Sequence, residues 1–132
     1  MKLARMTVAE IMLCPVTTVG PDAPVREARE ALHRARIRHL PVVRDGLLVG
    51  IVSDRDLQHA ADGSPVARHM TRTVFVLSPE TPLREAARVL RERRIGAMPV
   101  LEGRRLVGIV STVDVVRALE ESVRAETTPP IR

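Results

Sequence analysis

Two continuous apolar runs are the most regular features of the hydrophobic pattern. Leu47–Val52 and Leu106–Val110 are almost wholly aliphatic, which predicts strands buried in the middle of a sheet. Leu40–Val43 precedes the first run, with Arg44-Asp45-Gly46 between them. Because Asp-Gly supplies the positive φ angles of a tight turn, this pattern predicts a β-hairpin. A second hairpin is expected to turn at Glu102-Gly103-Arg104.

Apolar residues at helical spacing predict two amphipathic helices that begin near a proline. Their apolar stripes consist of Val25, Ala28, Leu32 and Ala35 in the first and, after Pro82, of Leu83, Ala86 and Leu90 in the second. We expect Pro24 at the first position of one helix and Thr81 as the N-cap of the other. The β-branched run Val16–Val19 predicts a short strand. Final helices are expected over about residues 54–61 and 112–124.

A constant spacing of 58 residues relates the two sets of elements, because residues 12–57 match residues 70–115 without a gap. Identical pairs include Pro24/Pro82, Arg26/Arg84, Glu27/Glu85, Ala28/Ala86, Leu32/Leu90, Ile37/Ile95, Pro41/Pro99, Gly50/Gly108, Ser53/Ser111 and Asp56/Asp114. A unit of this length buries too little surface to stand alone, so the copies are expected to pack together. The sequence therefore predicts an α+β domain of two β-α-β-β-α repeats with pseudo-twofold symmetry.

The same spacing divides the chain into five parts. Residues 1–11 form an N-terminal extension, residues 12–61 the first repeat and residues 70–124 the second. The connector, residues 62–69, opens with the turn-forming sequence DGSP. Residues 125–132 form a tail that is expected to fray.

The composition limits what the core and any binding site can contain. The chain has 132 residues, 45% of them hydrophobic, which suits one domain with a sizeable core. Phe75 is the only aromatic residue, so a bound base would rest mainly on aliphatic side chains. Cys14 is the only cysteine, so no intramolecular disulfide can form, as expected in a reducing compartment. With no signal-peptide pattern and no apolar run of about 18 residues, a cytoplasmic protein is predicted.

The charge balance admits a second interpretation. A net charge of +5 and an isoelectric point of about 11.1 are compatible with nucleic-acid binding, since clustered arginines neutralise phosphates. Single-strand binders, however, combine basic residues with aromatic stacking platforms, which this chain lacks. Most of its arginines also lie within the repeats, mixed with glutamates. Nucleic-acid binding is the alternative function, and a steep salt dependence of binding would identify it.

A hydroxyl and a carboxylate recur where each buried strand passes into a helix. The sequence G-I-V-S-x-x-D occurs at Gly50–Asp56 and at Gly108–Asp114. Free N–H groups at the start of a helix, together with the serine hydroxyl, suit phosphate oxygens, and a carboxylate accepts both hydroxyls of a ribose. The same spacing is close to a capping box, in which both side chains only satisfy backbone donors. Both roles stay open, and the same residues can serve both.

The ordered motifs of both copies resemble the cystathionine-beta-synthase (CBS) domain family, whose units run β-α-β-β-α. The first copy contains HLPVV and GIVSDRDL, and the second contains AMPVL and GIVSTVDV. The opening phrases AEIMLCPVTTVGPDAPV and ARHMTRTVFVLSPETPL are also similar to those of the family. The resemblance covers about residues 8–118 and implies a tandem pair of CBS domains.

The resemblance implies two clefts between the copies that bind adenosine ligands such as AMP, ADP, ATP or S-adenosylmethionine. In each cleft the aspartate would hold the ribose and the serine would approach the phosphate, while the partner copy supplies its first strand and the residues before its proline. One cleft would use Ser111 and Asp114 with Met12, Thr17, Ile37, Arg38 and His39. The other would use Ser53, Arg55 and Asp56 with Met70, Phe75, Ile95, Gly96 and Ala97.

The two clefts are expected to differ in charge. Arg38 and His39 stand in the first copy where Gly96 and Ala97 stand in the second. The cleft that contains Arg38 and His39 is therefore expected to bind a phosphorylated adenosine more tightly. Arg55, in the other cleft, could reverse this order. The sequence leaves open whether His39 is only a surface histidine and whether the two cleft methionines fill the core instead.

No catalytic motif accompanies the clefts. The chain shows no Ser-His-Asp or Cys-His motif and no glycine-rich phosphate loop, and its other histidines lack metal-ligand spacing. We expect a regulatory module without catalysis, cofactor or metal, since an enzyme using Asp56 or Asp114 as a base would lack a second catalytic group. The resemblance implies a homodimer, with an interface expected at Val89 with Leu90 and at Val115-Val116 with Leu119. A signal would pass to a separate effector protein or to the oligomer, with no membrane involved.

Overall fold

The computed structural model describes residues 2–127, in which short helices and two β-hairpins alternate. The α-helices are α1 (Lys2–Arg5), α2 (Val25–Ala35), α3 (Asp54–Leu57), α4 (Leu83–Arg93) and α5 (Thr112–Thr127). The strands are β1 (His39–Arg44), β2 (Leu47–Ser53), β3 (Ala97–Glu102) and β4 (Arg105–Ser111). Single 3-10 turns occur at Val8–Glu10 and Val66–Arg68. The predicted α+β fold of two repeats, each with a hairpin and helices, is confirmed.

Both predicted hairpins are present, and each places its serine beside the start of a helix. β1 pairs antiparallel with β2, and the final pair joins His39 to Ser53. β3 pairs with β4 in the equivalent register. Asp45 and Gly46 have φ angles of 50° and 79°, the left-handed pair that a type I′ turn requires. In the second hairpin Gly103, with φ of 63°, opens the turn.

The helices α2 and α4 begin after an extended proline. Pro24 and Pro82 have ψ angles of 149° and 139° and occupy the N-cap position, so Pro24 is not the first helical residue. The prediction that Thr81 caps α4 is also wrong, because its Oγ1 accepts a hydrogen bond from the backbone N–H of Ser78 at 3.1 Å instead. Both prolines have the extended conformation that is usual at an N-cap, and each forms a bridge with a residue of a distant segment.

The segment that precedes each repeat packs on the other repeat. Val8 is buried in the core that α4, β3 and β4 form, and Val66 is buried in the core of α2, β1 and β2. The backbone N–H of Val8 donates to the carbonyl oxygen of Thr81 at 2.8 Å, and that of Val66 donates to the carbonyl oxygen of Ala23 at 2.9 Å. Each half of the domain is thus completed by residues from the opposite part of the chain.

Farther along the chain, each of these exchanged segments pairs with one edge of a hairpin. Leu13 exchanges two backbone hydrogen bonds with Ile109 on β4, at 2.9 and 3.2 Å. Thr71 does the same with Ile51 on β2, at 2.8 and 3.0 Å. β2 and β4 are therefore inner strands with partners on both sides, which agrees with their continuous apolar sequences. The two inner strands also contact each other where the halves meet.

The strand predicted over Val16–Val19 is reduced to one bridge. The N–H of Val19 donates to the carbonyl oxygen of Pro41 at 3.2 Å, and the N–H of Val43 donates to the carbonyl oxygen of Val19 at 2.9 Å. A parallel ladder that continued toward Val16 would next need an N–H from Pro41, which proline lacks. The second copy repeats this arrangement beside Pro99.

The final helices differ in length between the copies. α3 ends at Leu57 rather than near residue 61. The guanidinium of Arg29, on α2, donates to the carbonyl oxygens of Leu57 and Ala60 and pairs with Asp62, so the chain turns toward α2. α5 continues through Thr127, beyond the predicted end near residue 124. Of the predicted tail, residues 128–132 lie outside the described residues.

Candidate functional site

Two cavities open between the halves of the domain, where β2 and β4 end. One, here called the Ser53 cleft, has a volume of about 980 Å³. The other, the Ser111 cleft, has a volume of about 460 Å³. Both volumes lie within the range of small-molecule sites. Each cleft is bordered by the junction between an inner strand and its following helix, so both G-I-V-S-x-x-D motifs contribute to a cavity.

The Ser53 cleft brings together most of the residues predicted for it. They are Ser53, Arg55, Asp56, Phe75, Ile95, Gly96 and Ala97. The end of β2 and the single turn of α3 supply the polar residues. The start of β3 and the residues before it supply an apolar wall, and the extended segment after Thr71 supplies the aromatic ring. The cleft therefore combines hydroxyl, carboxylate and guanidinium groups with an apolar surface.

The Ser111 cleft is smaller and includes the start of the long helix α5. Of the residues predicted for it, Ile37, Arg38, His39, Ser111 and Asp114 line the cavity. Leu13 and Ile109, which are joined by backbone hydrogen bonds, add an aliphatic surface. The cleft thus also offers a hydroxyl and a carboxylate beside apolar side chains.

Met12, Thr17 and Met70 lie outside the linings of both clefts. A β-carbon on Gly108 would lie 2.5 Å from Sδ of Met12, and one on Gly50 would lie 2.6 Å from Sδ of Met70. Both methionines pack against the buried cores, which is the core-filling role that the sequence left open. Thr17 is exposed on the segment before β1.

In both clefts the serine and the aspartate cap the following helix. The N–H of Asp56 donates to Oγ of Ser53 at 3.1 Å, and the N–H of Ser53 donates to Oδ2 of Asp56 at 2.8 Å. The N–H of Ser111 likewise donates to Oδ2 of Asp114 at 2.8 Å, and the N–H of Asp114 donates to Oγ of Ser111 at 3.3 Å. Each carboxylate uses Oδ2 for the cap. Its Oδ1 atom takes no part in the cap.

Arg38, His39, Gly96 and Ala97 line both clefts and form the wall between them. A β-carbon on Gly96 would lie 2.6 Å from Nε2 of His39, so the imidazole occupies space that the glycine leaves open. The resemblance implies Arg38 and His39 in one cleft and Gly96 and Ala97 in the other. The structure corrects this division, because the two copies meet at these residues. The expected ranking of the clefts, which rested on the division, loses its basis.

The shared wall has an unusual electrostatic environment at His39. Burial lowers the pKa of His39, because the partly desolvated site disfavours the charged imidazolium. The carboxylates of Asp54 and Asp56 act in the opposite direction, and the guanidinium of Arg38 adds to the lowering. Nε of Arg38 donates to Oδ2 of Asp54 at 3.1 Å. His39 is half-buried and is therefore more than a surface histidine.

Three arginines outside the predicted set also line the clefts. Arg94 lines the Ser53 cleft, whereas Arg36 and Arg117 line the Ser111 cleft. Arg36 and Arg94 end α2 and α4 in the left-handed conformation, with φ angles of 56° and 54°. The repeat contained a signal for this pair, because the same Arg-Ile dipeptide occurs in both copies at the spacing of 58 residues. Arg117 lies one helical turn after Asp114, with Nη1 3.8 Å from Oδ1 of that residue.

Neither a metal-binding cluster nor a membrane-spanning helix occurs between residues 2 and 127. Within this range, no three His, Cys, Asp or Glu side chains are grouped so that they could hold a metal ion. The helices of the same range lack the combination of length and apolar composition that crossing a membrane requires.

Comparison with known sequences supports the resemblance seen in the motifs. The family model for the CBS domain matches residues 8–63 and again residues 66–121. The chain is 30% identical over 114 residues to the CBS domain-containing protein YhcV of Bacillus subtilis, covering 82% of this chain and 81% of that protein. It is 35% identical over 107 residues to inosine-5'-monophosphate dehydrogenase of Thermoplasma acidophilum, covering 80% of this chain and 22% of the enzyme. The chain thus spans less than a quarter of that enzyme's length.

Solved structures show the same architecture. The CBS domain pair of protein MJ0100, in complex with 5'-methylthioadenosine and S-adenosyl-L-methionine, has a TM-score of 0.84 and 30% identity, covering 89% of this chain and 98% of that one. CBSX2 in complex with AMP has a TM-score of 0.79 and 32% identity, covering 89% and 98% of the two chains. Two matches to the family model, the paired hairpins and these structural neighbours agree: the chain belongs to the CBS domain family and contains a tandem pair of CBS domains.

Proposed function

We propose that this chain is a regulatory module that binds adenosine-containing ligands in the Ser53 and Ser111 clefts. The observation that carries the proposal is the presence of two cavities, each bordered by a serine and an aspartate at a strand–helix junction. The solved relatives described above hold AMP in one case and 5'-methylthioadenosine with S-adenosyl-L-methionine in another. AMP, ADP, ATP and S-adenosylmethionine are the ligands to consider.

The polar groups of each cleft suit the two ends of an adenosine ligand. Asp56 and Asp114 are proposed to accept the two ribose hydroxyls, since each keeps Oδ1 outside the helix cap. Ser53 and Ser111 are proposed to approach the phosphate. Ligand binding then competes with capping for the same side chains, which allows occupancy to alter the start of α3 or α5.

The apolar surfaces suit the base, and the arginines suit a phosphate. Phe75 and Ile95 offer an apolar surface in the Ser53 cleft, and Ile37 offers one in the Ser111 cleft. At least two arginines line each cleft, including one that lines both clefts. Hydrogen bonds to ionised groups are stronger than those between neutral groups. The guanidinium groups therefore favour a nucleotide over an uncharged nucleoside.

The module is proposed to act without catalysis, on a separate effector protein or through its own oligomer. The matched relatives include enzymes of which the corresponding region is a minor part, such as the homoserine O-acetyltransferase of Methanohalobium evestigatum, of which it covers 25%. The nucleic-acid alternative is less well supported, because many arginines of the described residues pair with carboxylates, as Arg44 does with Asp22 and Arg105 with Glu102. A cytoplasmic location stays a prediction.

A homodimer formed through α5 is part of this proposal. The helix exposes 44–57% of the surface of four apolar residues, Val113, Val116, Leu119 and Val123. Of the interface residues expected from the sequence, Leu90 is buried, and Val89 and Val115 are partly buried against the same core, so these three expose less surface to an interface. Val116 and Leu119 keep that role, because burial of exposed aliphatic surface favours association.

A thermal-shift screen tests the proposed function. The purified chain would be heated with AMP, ADP, ATP, S-adenosylmethionine or NAD, and with GMP as a control without adenine. We expect at least one adenosine ligand to stabilise the fold, by about 2.7 kcal/mol at one hundred times its dissociation constant. No stabilisation by any of the adenosine compounds, or equal stabilisation by GMP, would contradict the proposal.

A further inference from the structure

The wall between the clefts is asymmetric, although the two repeats are related by pseudo-twofold symmetry. Arg38 and His39 in the first repeat correspond to Gly96 and Ala97 in the second. All four residues line both cavities. A symmetric pair of clefts would have one such cation for each ligand, whereas here a single arginine borders both.

Arg38 is placed so that it can serve either cleft. Its side chain is 76% exposed, and its Nε donates to Oδ2 of Asp54 at 3.1 Å. An exposed ion pair of this kind contributes little stability, so an anionic ligand can displace it at small cost. A guanidinium that donates to an anion in one cleft is no longer available to an anion in the other.

The other arginines are not shared in this way. Arg55 and Arg94 line the Ser53 cleft alone, and Arg36 and Arg117 line the Ser111 cleft alone. Arg55 therefore provides a matched comparison for Arg38, because it has the same charge but borders only one of the two clefts. The imidazole of His39 packs against Gly96 between the clefts. Of the side chains of Arg38 and His39, only that of Arg38 can therefore turn toward either cavity.

We propose that the two clefts compete for Arg38, so that an anionic ligand in one cleft lowers the affinity of the other cleft for a second anionic ligand. This inference rests on the adenosine-binding function proposed above. An uncharged adenosine compound does not compete for the guanidinium. Occupancy of one cleft by a nucleotide therefore lowers the affinity of the other cleft for a second nucleotide and leaves its affinity for an uncharged adenosine compound unchanged.

Calorimetric titration with AMP tests the competition. Asp56→Ala and Asp114→Ala each disable one cleft, so each variant reports the AMP association constant of the cleft that remains. If the clefts are independent, the product of the two association constants of the wild type equals the product of the constants of the two variants. We expect the wild-type product to be at least about tenfold lower. Titration at about pH 8, above the ordinary pKa of histidine, keeps His39 neutral.

Arg38→Met, introduced into all three proteins, should return the ratio of the two products to about one. Arg55→Met, introduced in the same way, should weaken binding in the Ser53 cleft and leave the ratio as in the wild type. Adenosine, which carries no phosphate, should give a ratio of about one without any substitution at Arg38. These controls separate competition for one guanidinium from general repulsion between two ligands.

Each outcome bears on a different proposal. A wild type that binds two AMP molecules with a ratio of one overturns the competition and leaves the adenosine-binding function intact. A low ratio that persists in the Arg38→Met proteins also overturns it. AMP that binds in one cleft, with the other cleft unable to bind it in any protein, has the same consequence. Absence of binding by every adenosine ligand instead overturns the proposed function itself.

Discussion

Nε2 of His39 lies 2.6 Å from the position that a β-carbon on Gly96 would occupy. The imidazole of one repeat is therefore packed on the backbone of the other, at the wall that separates the two clefts. At a separation this short, the imidazole must move before a side chain fits at position 96. The contact explains why a glycine stands before β3, where the equivalent position of the first repeat has Arg38.

Gly96→Ala should destabilise the fold by about 1–3 kcal/mol, the usual effect of overpacking a close contact. Replacing His39 with alanine in the same protein should recover most of this loss, because the new methyl group then has space. Urea unfolding of the two single variants and the double variant gives the coupling energy. Gly63→Ala is the matched control, since nothing lies within 4 Å of its β-carbon. Additive losses in the double variant would contradict the contact.

Gly50→Ala should cost more stability than Gly108→Ala, although the two glycines are equivalent in the repeats. At Gly50 the new methyl group would meet the carbonyl oxygen of Thr71 at 2.9 Å as well as the side chain of Met70. That oxygen accepts the hydrogen bond from Ile51, so it cannot move without loss of the bridge. At Gly108 the contacts are with the Met12 side chain, which is more adaptable.

Urea unfolding measures both free energies, with Gly20→Ala as a control because its β-carbon would have nothing within 4 Å. Losses of about 1–3 kcal/mol are expected at Gly50 and smaller losses at Gly108. A larger loss of stability at Gly108 than at Gly50 would contradict the prediction that the carbonyl oxygen of Thr71 makes position 50 the less tolerant of the two.

The stability of the fold should fall as the pH drops below about 6.5, the ordinary pKa of histidine. Because burial lowers the pKa of His39 in the folded chain, the unfolded chain binds a proton in this range that the folded chain does not. Stability therefore rises with pH through the interval between the folded and unfolded pKa values and is constant above it. His39→Gln should lose less free energy of unfolding than the wild type between pH 7.5 and pH 5.5. Equal losses in both proteins would refute this assignment.

Replacing Asp56 and Asp114 together with alanine should remove most of the stabilisation that an adenosine ligand confers. Both substitutions also remove the carboxylate that accepts the N–H of the capping serine, which costs stability, so each protein must be compared with its own unliganded state. Asp22→Ala is a suitable control, because this carboxylate is exposed and pairs with Arg44 outside the clefts. Thermal unfolding with and without AMP is the measurement. Full stabilisation of the double variant would leave the aspartates with a capping role alone.

Leu119→Glu should convert the proposed homodimer into a monomer, because it places a charge on the exposed apolar face of α5. Light scattering should give about twice the 14.6 kDa chain mass for the wild type and the single chain mass for the variant. Val76→Glu, at a side chain with 45% exposure outside α5, should leave the dimer intact. A wild type that is monomeric at micromolar concentration would remove this part of the proposal.

The repeat, the hairpins and the motifs at the strand–helix junctions could all be predicted from the sequence. Each depends on residues close together in the chain, such as the Asp45-Gly46 turn, or on the match between the copies. Most cleft residues followed from the resemblance carried by these motifs. The single bridge at Val19 was not predicted, although its cause, the missing N–H of Pro41, is visible in the sequence.

Only the tertiary structure decided which half of the domain is completed by each of the two segments that precede the repeats. Val8 and Val66 are equivalent valines, and each could pack on its own repeat or on the other, because the two repeats present nearly the same apolar surface. Local patterns of hydrophobicity are the same for both choices. For the same reason the sequence could not show that Arg38 and His39 border both clefts. That arrangement arises from the contact between His39 and Gly96, which belong to different repeats, and it exists only once the halves have packed.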